Sequence, residues 1–232
     1  MSNEARHAAV SGSSSGIGRA IAEHLLAQGW RVSGLDLAAP AITHAAFTAI
    51  PVDLSRGEQI ASACASLGPV DALVHAAGVL RVGPLGTLDH GGGELMWRLH
   101  VDAAARLADA LVPAMAARGG GRVVFIGSRV AQGMPGRGQY AATKAAVIAL
   151  ARSWAVEVAA RGVTINVVSP AATATAMLQD PARAASAPRL PPIGRLIEPA
   201  EIAALTAFLL SPAAAAITGQ DIAICGGSSL AS

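Results

Sequence analysis

Tyr140 and Lys144, four residues apart in the segment QYAATKAA, form a pair well suited to proton transfer. Their spacing places both side chains on one face of a predicted helix. A tyrosine phenol has an unperturbed pKa of about 10, too high for proton exchange at neutral pH. A lysine ammonium beside it favours the phenolate and lowers that pKa. The pair therefore predicts a general acid and base. Tyr140 would exchange the proton, and Lys144 would lower the pKa of the Tyr140 phenol.

Ser128 stands twelve residues before Tyr140, where a predicted strand ends. A hydroxyl at that point is placed to hydrogen-bond the same substrate oxygen as the phenol. The three side chains together predict the catalytic centre of an enzyme that moves a proton to or from an oxygen atom.

The glycine-rich segment SGSSSGIG, residues 11–18, joins the first predicted strand to the first predicted helix. Gly12 permits a tight turn, Gly16 lets the backbone approach a pyrophosphate, and Gly18 allows the helix to pack closely on the strand. The free N–H groups and positive dipole end of that helix would face the anion. A purely structural turn is the alternative, but the strand before it, the helix after it and an acid at Asp36 favour a dinucleotide site.

Asp36 follows Gly18 by eighteen residues, at the end of the second predicted strand. A carboxylate there accepts hydrogen bonds from the two ribose hydroxyls of NAD and repels the 2′-phosphate of NADP. The glycine loop contains no Lys or Arg to offset that repulsion. We therefore predict NAD rather than NADP, with a solvated loop acid as the alternative for Asp36.

The elements that must position these groups alternate along the chain. Seven short apolar segments have the length and composition of buried strands: residues 7–12, 31–37, 47–54, 73–78, 123–128, 163–169 and 221–226. Helical patterns occupy residues 16–28, 55–67, 94–118, 139–161 and 199–210. The alternation predicts right-handed crossovers in a doubly wound parallel α/β sheet, a Rossmann fold, as a single domain over residues 1–232.

Three segments depart from this alternation. Residues 38–46 are too few for a full helix between the second and third strands. The glycines at 91–93 predict that the helix there starts late or frays, because each interior glycine costs about 1 kcal/mol. The proline-rich residues 181–192 predict a loop within the domain.

Composition narrows the function classes. Hydrophobic residues make up 53% of the chain and charged residues 14%, which predicts a tightly packed interior and a surface partly covered by another subunit. The net charge of +2 and the absence of a Lys/Arg run argue against nucleic acid. No apolar run approaches the roughly 18 residues of a membrane span. With no signal-peptide core, we expect a cytoplasmic protein whose two cysteines, Cys64 and Cys225, are reduced and bind no metal.

The motifs together resemble those of short-chain dehydrogenases/reductases of the classical type, over essentially the whole chain. Residues 12–18 match the family's TGxxxGIG, Tyr140 and Lys144 its YxxxK, and Ser128 its serine. Residues 75–78 (HAAG) stand where NNAG or NAAG is usual, and residues 166–175 (NVVSPAATAT) resemble NxxxPGxxxT, which lies over the nicotinamide. The resemblance implies hydride transfer between NAD(H) and a secondary alcohol or ketone.

The resemblance also implies the wider site. His100 stands where the family has the asparagine of its catalytic tetrad, which acts largely by shaping its helix and holding a water. Asp53 would touch the adenine edge, with a helix N-cap as the alternative. Thr173 and Thr175 would contact the carboxamide and phosphate, with plain loop threonines as the alternative. The remaining cofactor contacts implied are Ser14, Ser15, Ile17, Leu37, Leu54, Ala76, Ala77, Gly78 and Pro170.

Other departures from the family pattern lie outside the reacting groups. The interval from Ser128 to Tyr140 is twelve residues where thirteen is usual. Ala171 replaces a glycine, and His75 replaces an asparagine whose role is mainly structural. We do not expect any of these changes to remove a group that the chemistry requires.

The substrate is less constrained. Residues 80–84, 129–139 and a substrate loop at about 172–195 should ring the nicotinamide, and they contribute three arginines, Arg81, Arg129 and Arg137. One of them would clamp a substrate carboxylate, or all three are solvated rim residues. Alternatives are therefore a dihydrodiol-carboxylate dehydrogenase of the same family and a catalytically silent NAD sensor or scaffold. By resemblance, the long helices pair across two-fold axes in a homotetramer or homodimer.

Overall fold

A computed structural model describes residues 5–179 and 190–230. The predicted loop at 181–192 and the predicted substrate loop at 172–195 fall partly outside these residues. Within them the chain forms one parallel sheet of seven strands in the order β3-β2-β1-β4-β5-β6-β7. The strands are β1 His7–Ser11, β2 Arg31–Asp36, β3 Phe47–Pro51, β4 Ala72–His75, β5 Gly121–Ile126, β6 Val163–Pro170 and β7 Asp221–Ile224.

All seven predicted strands are confirmed, and the doubly wound α/β fold with them. Six of the predicted segments run one to three residues past the observed carboxyl end of the strand. Most of the residues just beyond these strand ends are small or apolar, and most of them line a cavity at this edge of the sheet. The crossover between β2 and β3 has no helix, as its length predicted.

Helices cover both faces of the sheet. They are α1 Gly16–Ala27, α2 Gly57–Ser66, α3 His90–Trp97, α4 Ala103–Ala117, α5 Gly138–Val158 and α6 Pro199–Leu209. One apolar core lies between the sheet and helices α1 and α6, and a second lies between the sheet and helices α2, α4 and α5. Because both faces are covered, β1, β4 and β6 are buried at every position.

The expectation that the glycines at 91–93 delay or fray their helix is wrong. Helix α3 begins at His90, and the Asp89 side chain accepts a hydrogen bond of 2.8 Å from the Gly92 amide. A Cβ at Gly92 would lie 2.2 Å from Asp89 Oδ2, and one at Gly93 would lie 2.1 Å from Gln139 Nε2. The N-cap and the close approach of α5 therefore offset the low helix propensity of glycine.

The single helix predicted over 94–118 is also wrong in detail. A π turn at Arg98–Asp102 separates α3 from α4. Such turns widen a helix locally and often occur at functional sites. This one buries His100 completely and brings it beside the first turn of α5. Among the described helices, none is long and apolar enough to cross a membrane.

Candidate active site

A cavity of about 1120 Å³ opens at the carboxyl ends of the strands, as expected for an open parallel sheet. Most of the predicted site residues line it, from the glycine loop through Asp36, Leu37, Asp53 and Leu54 to the three catalytic candidates. The predicted contacts Ala76, Ala77, Gly78, Pro170, Thr173 and Thr175 line it as well. Ser14 and Arg81 are not among the described lining residues.

The glycine loop has the geometry expected of a dinucleotide cradle. Gly12 adopts φ +71°, and a Cβ there would lie 2.8 Å from the Cα of Ala77, two residues beyond β4. A Cβ at Gly18 would lie 2.1 Å from the carbonyl oxygen of Gly12. Both positions therefore require glycine, and the loop stays thin enough for a pyrophosphate to approach the start of α1.

Asp36 is fixed at the end of β2 by two backbone amides. Its Oδ2 accepts a hydrogen bond of 2.9 Å from the Ser14 amide, and its Oδ1 accepts one of 3.0 Å from the Ala38 amide. The carboxylate is therefore not a freely solvated loop acid. Ser14 contributes to the site through its amide, which ties the glycine loop to Asp36.

Asp53 does not cap a helix, so that alternative is wrong. Helix α2 begins at Gly57 and has Arg56 at its N-cap position. Asp53 Oδ1 instead accepts hydrogen bonds from the amide and the hydroxyl of Ser55, at 2.9 and 2.7 Å. Those two hydrogen bonds lower the pKa of the Asp53 carboxyl. It lines the cavity as an ionised group beside Leu54.

The segment after β6 lies over the glycine loop. A Cβ at Gly16 would lie 3.4 Å from Thr175 Cγ2, so Thr175 faces the point where the pyrophosphate would lie. The Thr173 hydroxyl donates a hydrogen bond of 3.0 Å to the Ala171 carbonyl, and Thr173 pairs with Ile197 in an isolated β-bridge. Thr173 therefore has a clear structural role in this loop.

Tyr140 and Lys144 lie in the first two turns of α5. The Lys144 side chain is buried, and its Nζ donates a hydrogen bond of 2.7 Å to the carbonyl of Ile126, the last residue of β5. Burial lowers the pKa of Lys144 to about 8. Its Nζ lies 5.8 Å from the centroid of the Tyr140 ring. The ammonium is thus close enough to favour the phenolate.

Ser128 lies two residues beyond β5 and lines the same cavity. It is the N-cap of a short 3₁₀ turn at Arg129–Gln132, where its Oγ accepts a hydrogen bond of 3.2 Å from the Val130 amide. This hydrogen bond leaves the hydroxyl proton available to a substrate oxygen.

His100 also lines the cavity, and its ring packs edge-on against Tyr140 with 5.5 Å between centroids. Its Nε2 accepts a hydrogen bond of 3.1 Å from the Val79 amide, and its Nδ1 lies 2.8 Å from Thr143 Oγ1. Thr143 and Val79 were not predicted as part of the site. No local signal in the sequence would have found them, since the π turn creates both contacts.

His75 occupies a structural position, as its resemblance to a family asparagine implied. Its Nδ1 lies 2.8 Å from Ser11 Oγ, and its Nε2 donates a hydrogen bond of 3.0 Å to the Leu99 carbonyl. Burial lowers the pKa of this imidazole to about 3, so the ring is neutral. It joins β1 and β4 to the π turn.

The three candidate arginines occupy different places. Arg129 and Arg137 line the cavity. Arg137 is only 8% exposed, and its backbone amide donates to the Met134 carbonyl just before α5. Arg81 donates a hydrogen bond of 3.1 Å to the Leu80 carbonyl. Its side chain passes close to Gly92 at the start of α3.

Together these residues fit a nicotinamide dinucleotide. The glycine loop is thin where a pyrophosphate would lie, and Asp36 is fixed where a ribose would lie. Tyr140, Lys144 and Ser128 line the same cavity.

Comparisons with known proteins agree with this geometry. Residues 12–229 match the profile of a family described as enoyl-(acyl carrier protein) reductase. The chain is 36% identical to a 3-oxoacyl-[acyl-carrier-protein] reductase from Vibrio cholerae, over 98% of both chains. It superposes on a solved short-chain dehydrogenase/reductase family protein with a TM-score of 0.91 and 33% identity, over all of both chains.

A second solved structure is the actinorhodin polyketide ketoreductase with NADPH, at a TM-score of 0.87 and 26% identity over 97% of both chains. Short-chain dehydrogenases/reductases use nicotinamide cofactors. The catalytic motifs, the sheet order and the full-length similarity lead to one conclusion. The chain belongs to the short-chain dehydrogenase/reductase family of oxidoreductases.

Proposed function

We propose that the chain catalyses reversible hydride transfer between NAD(H) and a secondary alcohol or its ketone. The observation that carries the proposal is that Tyr140, Lys144 and Ser128 line the same cavity as the glycine loop and Asp36. When bound, the nicotinamide would supply or accept the hydride. The protein's own residues then have only a proton to handle.

Tyr140 would donate its hydroxyl proton to the ketone oxygen in reduction and take the proton from the alcohol in oxidation. The Ser128 hydroxyl would donate a hydrogen bond to the same oxygen and hold it within reach of the phenol. Lys144 would stabilise the phenolate that remains after proton donation, because its ammonium lies close to the ring.

Replacing Tyr140 with phenylalanine removes the hydroxyl and keeps the ring. We expect kcat to fall by at least about 100-fold, the usual contribution of general acid–base catalysis, with cofactor affinity nearly unchanged. Steady-state kinetics and NAD titration would measure the two quantities. Wild-type turnover in the variant would contradict the role of Tyr140. If the wild-type protein instead binds NAD tightly but turns over no alcohol or ketone, the result would favour the silent NAD sensor.

The preference for NAD rests on Asp36. Its carboxylate is anchored by two amides at the end of β2, so it cannot easily turn away from a ribose 2′-substituent. A 2′-phosphate would meet that charge. The similar actinorhodin ketoreductase structure contains NADPH, so a comparison of turnover with NADH and NADPH tests this preference.

A second candidate substrate class is a carboxylate, such as a dihydrodiol carboxylate. It is favoured by Arg137, a cation that lines the cavity and is nine-tenths buried. Paired substrates that differ only as acid and methyl ester would test it. We expect Arg137→Gln to remove any preference for the acid, and Arg129→Gln, a more exposed control, to retain it.

We also propose that the protein acts in the cytoplasm as a homo-oligomer, a dimer or tetramer formed through α4 and α5. Val156 on α5 is 83% exposed. A shallow groove between the two helices is lined by Ala105, Asp109, Val112, Trp154 and Glu157 among others.

A further inference from the structure

The hydrogen bonds of His100 fix its protonation state. A backbone amide can only donate, so the contact of 3.1 Å from the Val79 amide makes Nε2 the unprotonated nitrogen. The Nδ1 atom then carries the proton and donates to Thr143 Oγ1 at 2.8 Å. The Thr143 hydroxyl in turn donates to the Tyr140 carbonyl oxygen, also at 2.8 Å. The ring is neutral and both of its nitrogens are used.

These contacts form a bridge between two parts of the site. The Val79 amide lies four residues beyond the end of β4, and Thr143 lies in the first turns of α5. The bridge ends on the backbone of Tyr140 itself. A Cβ at Gly78 would lie 2.7 Å from Nε2, so the backbone approaches the imidazole closely at this point.

His75 supports the bridge from the other side. A carbonyl can only accept, so Nε2 of His75 carries the proton that is donated to Leu99 O. Its Nδ1 therefore accepts from the Ser11 hydroxyl, whose oxygen also accepts from the amides of Ala76 and Ala77. His75 and His100 thus have opposite tautomers. His75 binds the carbonyl of Leu99 in the π turn, and His100, the next residue of that turn, binds Val79 and Thr143.

We infer that His100 is a positioning residue: a neutral bridge that holds the backbone of Tyr140, through Thr143, at a fixed distance from the cavity wall at Val79. It does not relay protons. The titratable groups that face it are Tyr140 and Lys144 on α5 and His75 on β4. Burial, with the charge of Lys144, lowers the pKa of His100 well below its ordinary value. The inference rests on the proposed function only for its kinetic consequence.

A first test does not depend on activity. The chain has six histidines, and nitrogen-15 NMR distinguishes the two neutral tautomers from the imidazolium. We expect one histidine, absent from the spectrum of His100→Asn, to remain in the Nδ1–H form from pH 5 to pH 9. The histidine absent from His75→Asn should remain in the Nε2–H form. Protonation of His100 in this range, or the Nε2–H form, would overturn the inference.

A second test uses the fact that Tyr140 is the only tyrosine of the chain, so tyrosinate absorbance reports it alone. Thr143→Val removes the hydroxyl and keeps the shape of the side chain. If the bridge positions Tyr140 beside Lys144, we expect the phenol to titrate at higher pH in this variant. An unchanged titration would contradict the inference even if the protein has no measurable turnover.

The kinetic test compares the two arms of the bridge. From the lengths of the side chains, we expect asparagine at 100 to reach Thr143 but not Val79, and glutamine to reach Val79 but not Thr143. We expect Thr143→Val, His100→Gln and His100→Phe each to lower kcat by about 10- to 100-fold, the cost of a misplacement near 1 Å. The loss should be equal at every pH and cofactor affinity should hold. His100→Asn, which keeps only the Thr143 arm, should also turn over more slowly than the wild type.

In the double variant Thr143→Val/His100→Phe, the fall in kcat should be no larger than in either single variant, because both changes break the same bridge. Additive losses, or a pH profile that changes shape in His100→Phe, would overturn the positioning role, and the latter would indicate a proton relay. Thr143→Val carries the test if His100→Phe fails to fold.

Discussion

Burial of the Lys144 ammonium destabilises the folded protein, because the charged group loses its hydration. Burial lowers its pKa from 10.5 to about 8. Between these values the unfolded chain binds more protons than the folded one, so stability must rise with pH. We expect the free energy of unfolding of the cofactor-free protein to increase by roughly 3 kcal/mol from pH 8 to pH 10.5.

Thermal unfolding across this pH range would measure the effect, with Lys144→Met as the control that lacks the titrating group. The slope between pH 8 and 10.5 should be smaller in the variant than in the wild type. Equal slopes would mean that Lys144 is not the group responsible.

Asp36 is a second single residue with a large expected effect, because its carboxylate is expected to decide between NAD and NADP. We expect Asp36→Ala to raise kcat/KM with NADPH and to lower it with NADH. Loss of the repulsion would cause the first change, and loss of the ribose hydrogen bonds the second. Asp53→Ala, at the adenine end, is the matched control and should affect both cofactors alike. A parallel change with both cofactors in Asp36→Ala would contradict the assignment.

Residue spacing identified Tyr140, Lys144, the glycine loop and Asp36, and the family resemblance supplied most of the other predicted residues that line the cavity. A spacing of four in a helix is a local property, so Tyr140 and Lys144 could be paired from the sequence. The contacts of Thr143 with His100 join residues 43 apart and depend on a π turn that no local pattern indicates. The anchoring of Asp36 by the Ser14 amide likewise appears only when β1 and β2 lie side by side.

Among the elements, α3 shows how context overrides propensity. Its three glycines are helical in the first turn because Asp89 caps the helix and because α5 packs closely on it. Helix propensity alone predicted a late or frayed start. It is only a weak guide where an N-cap and a packing partner act together. The overlong strand predictions have a similar origin, because apolar residues at the strand ends line the cavity.

Gly91 and Gly92 provide a matched pair to test this account. A Cβ at Gly91 meets only Asp89 Oδ1, at 3.8 Å, whereas a Cβ at Gly92 would lie 2.2 Å from Asp89 Oδ2. Gly91→Ala should therefore stabilise the protein by up to about 1 kcal/mol through helix propensity. Gly92→Ala should give no such gain, since it displaces the cap. Denaturant unfolding would measure both, and equal gains would contradict the capping role of Asp89.

For the molecule as a whole, the low content of charged residues and the exposed apolar side chains of α5 are the basis for the proposed homodimer or homotetramer. Light scattering at neutral pH should give a dimer or tetramer. Val156→Glu would place a charge on the proposed contact face and should shift the mass toward the monomer, with Leu230→Glu, near the end of the described chain, as a control. A monomeric wild-type protein would refute the assembly.

The order of strands across the sheet also bears on how the chain folds during synthesis. Strands β1 to β3 come from the first 51 residues, and they carry the glycine loop and Asp36. The catalytic side needs β4, which pairs with β1, and β5, which pairs with β4, and both pairings join residues far apart in the chain. Such non-local pairing is slow. The part of the sheet expected to bind the adenosine can therefore assemble on a growing chain well before Tyr140 has been made.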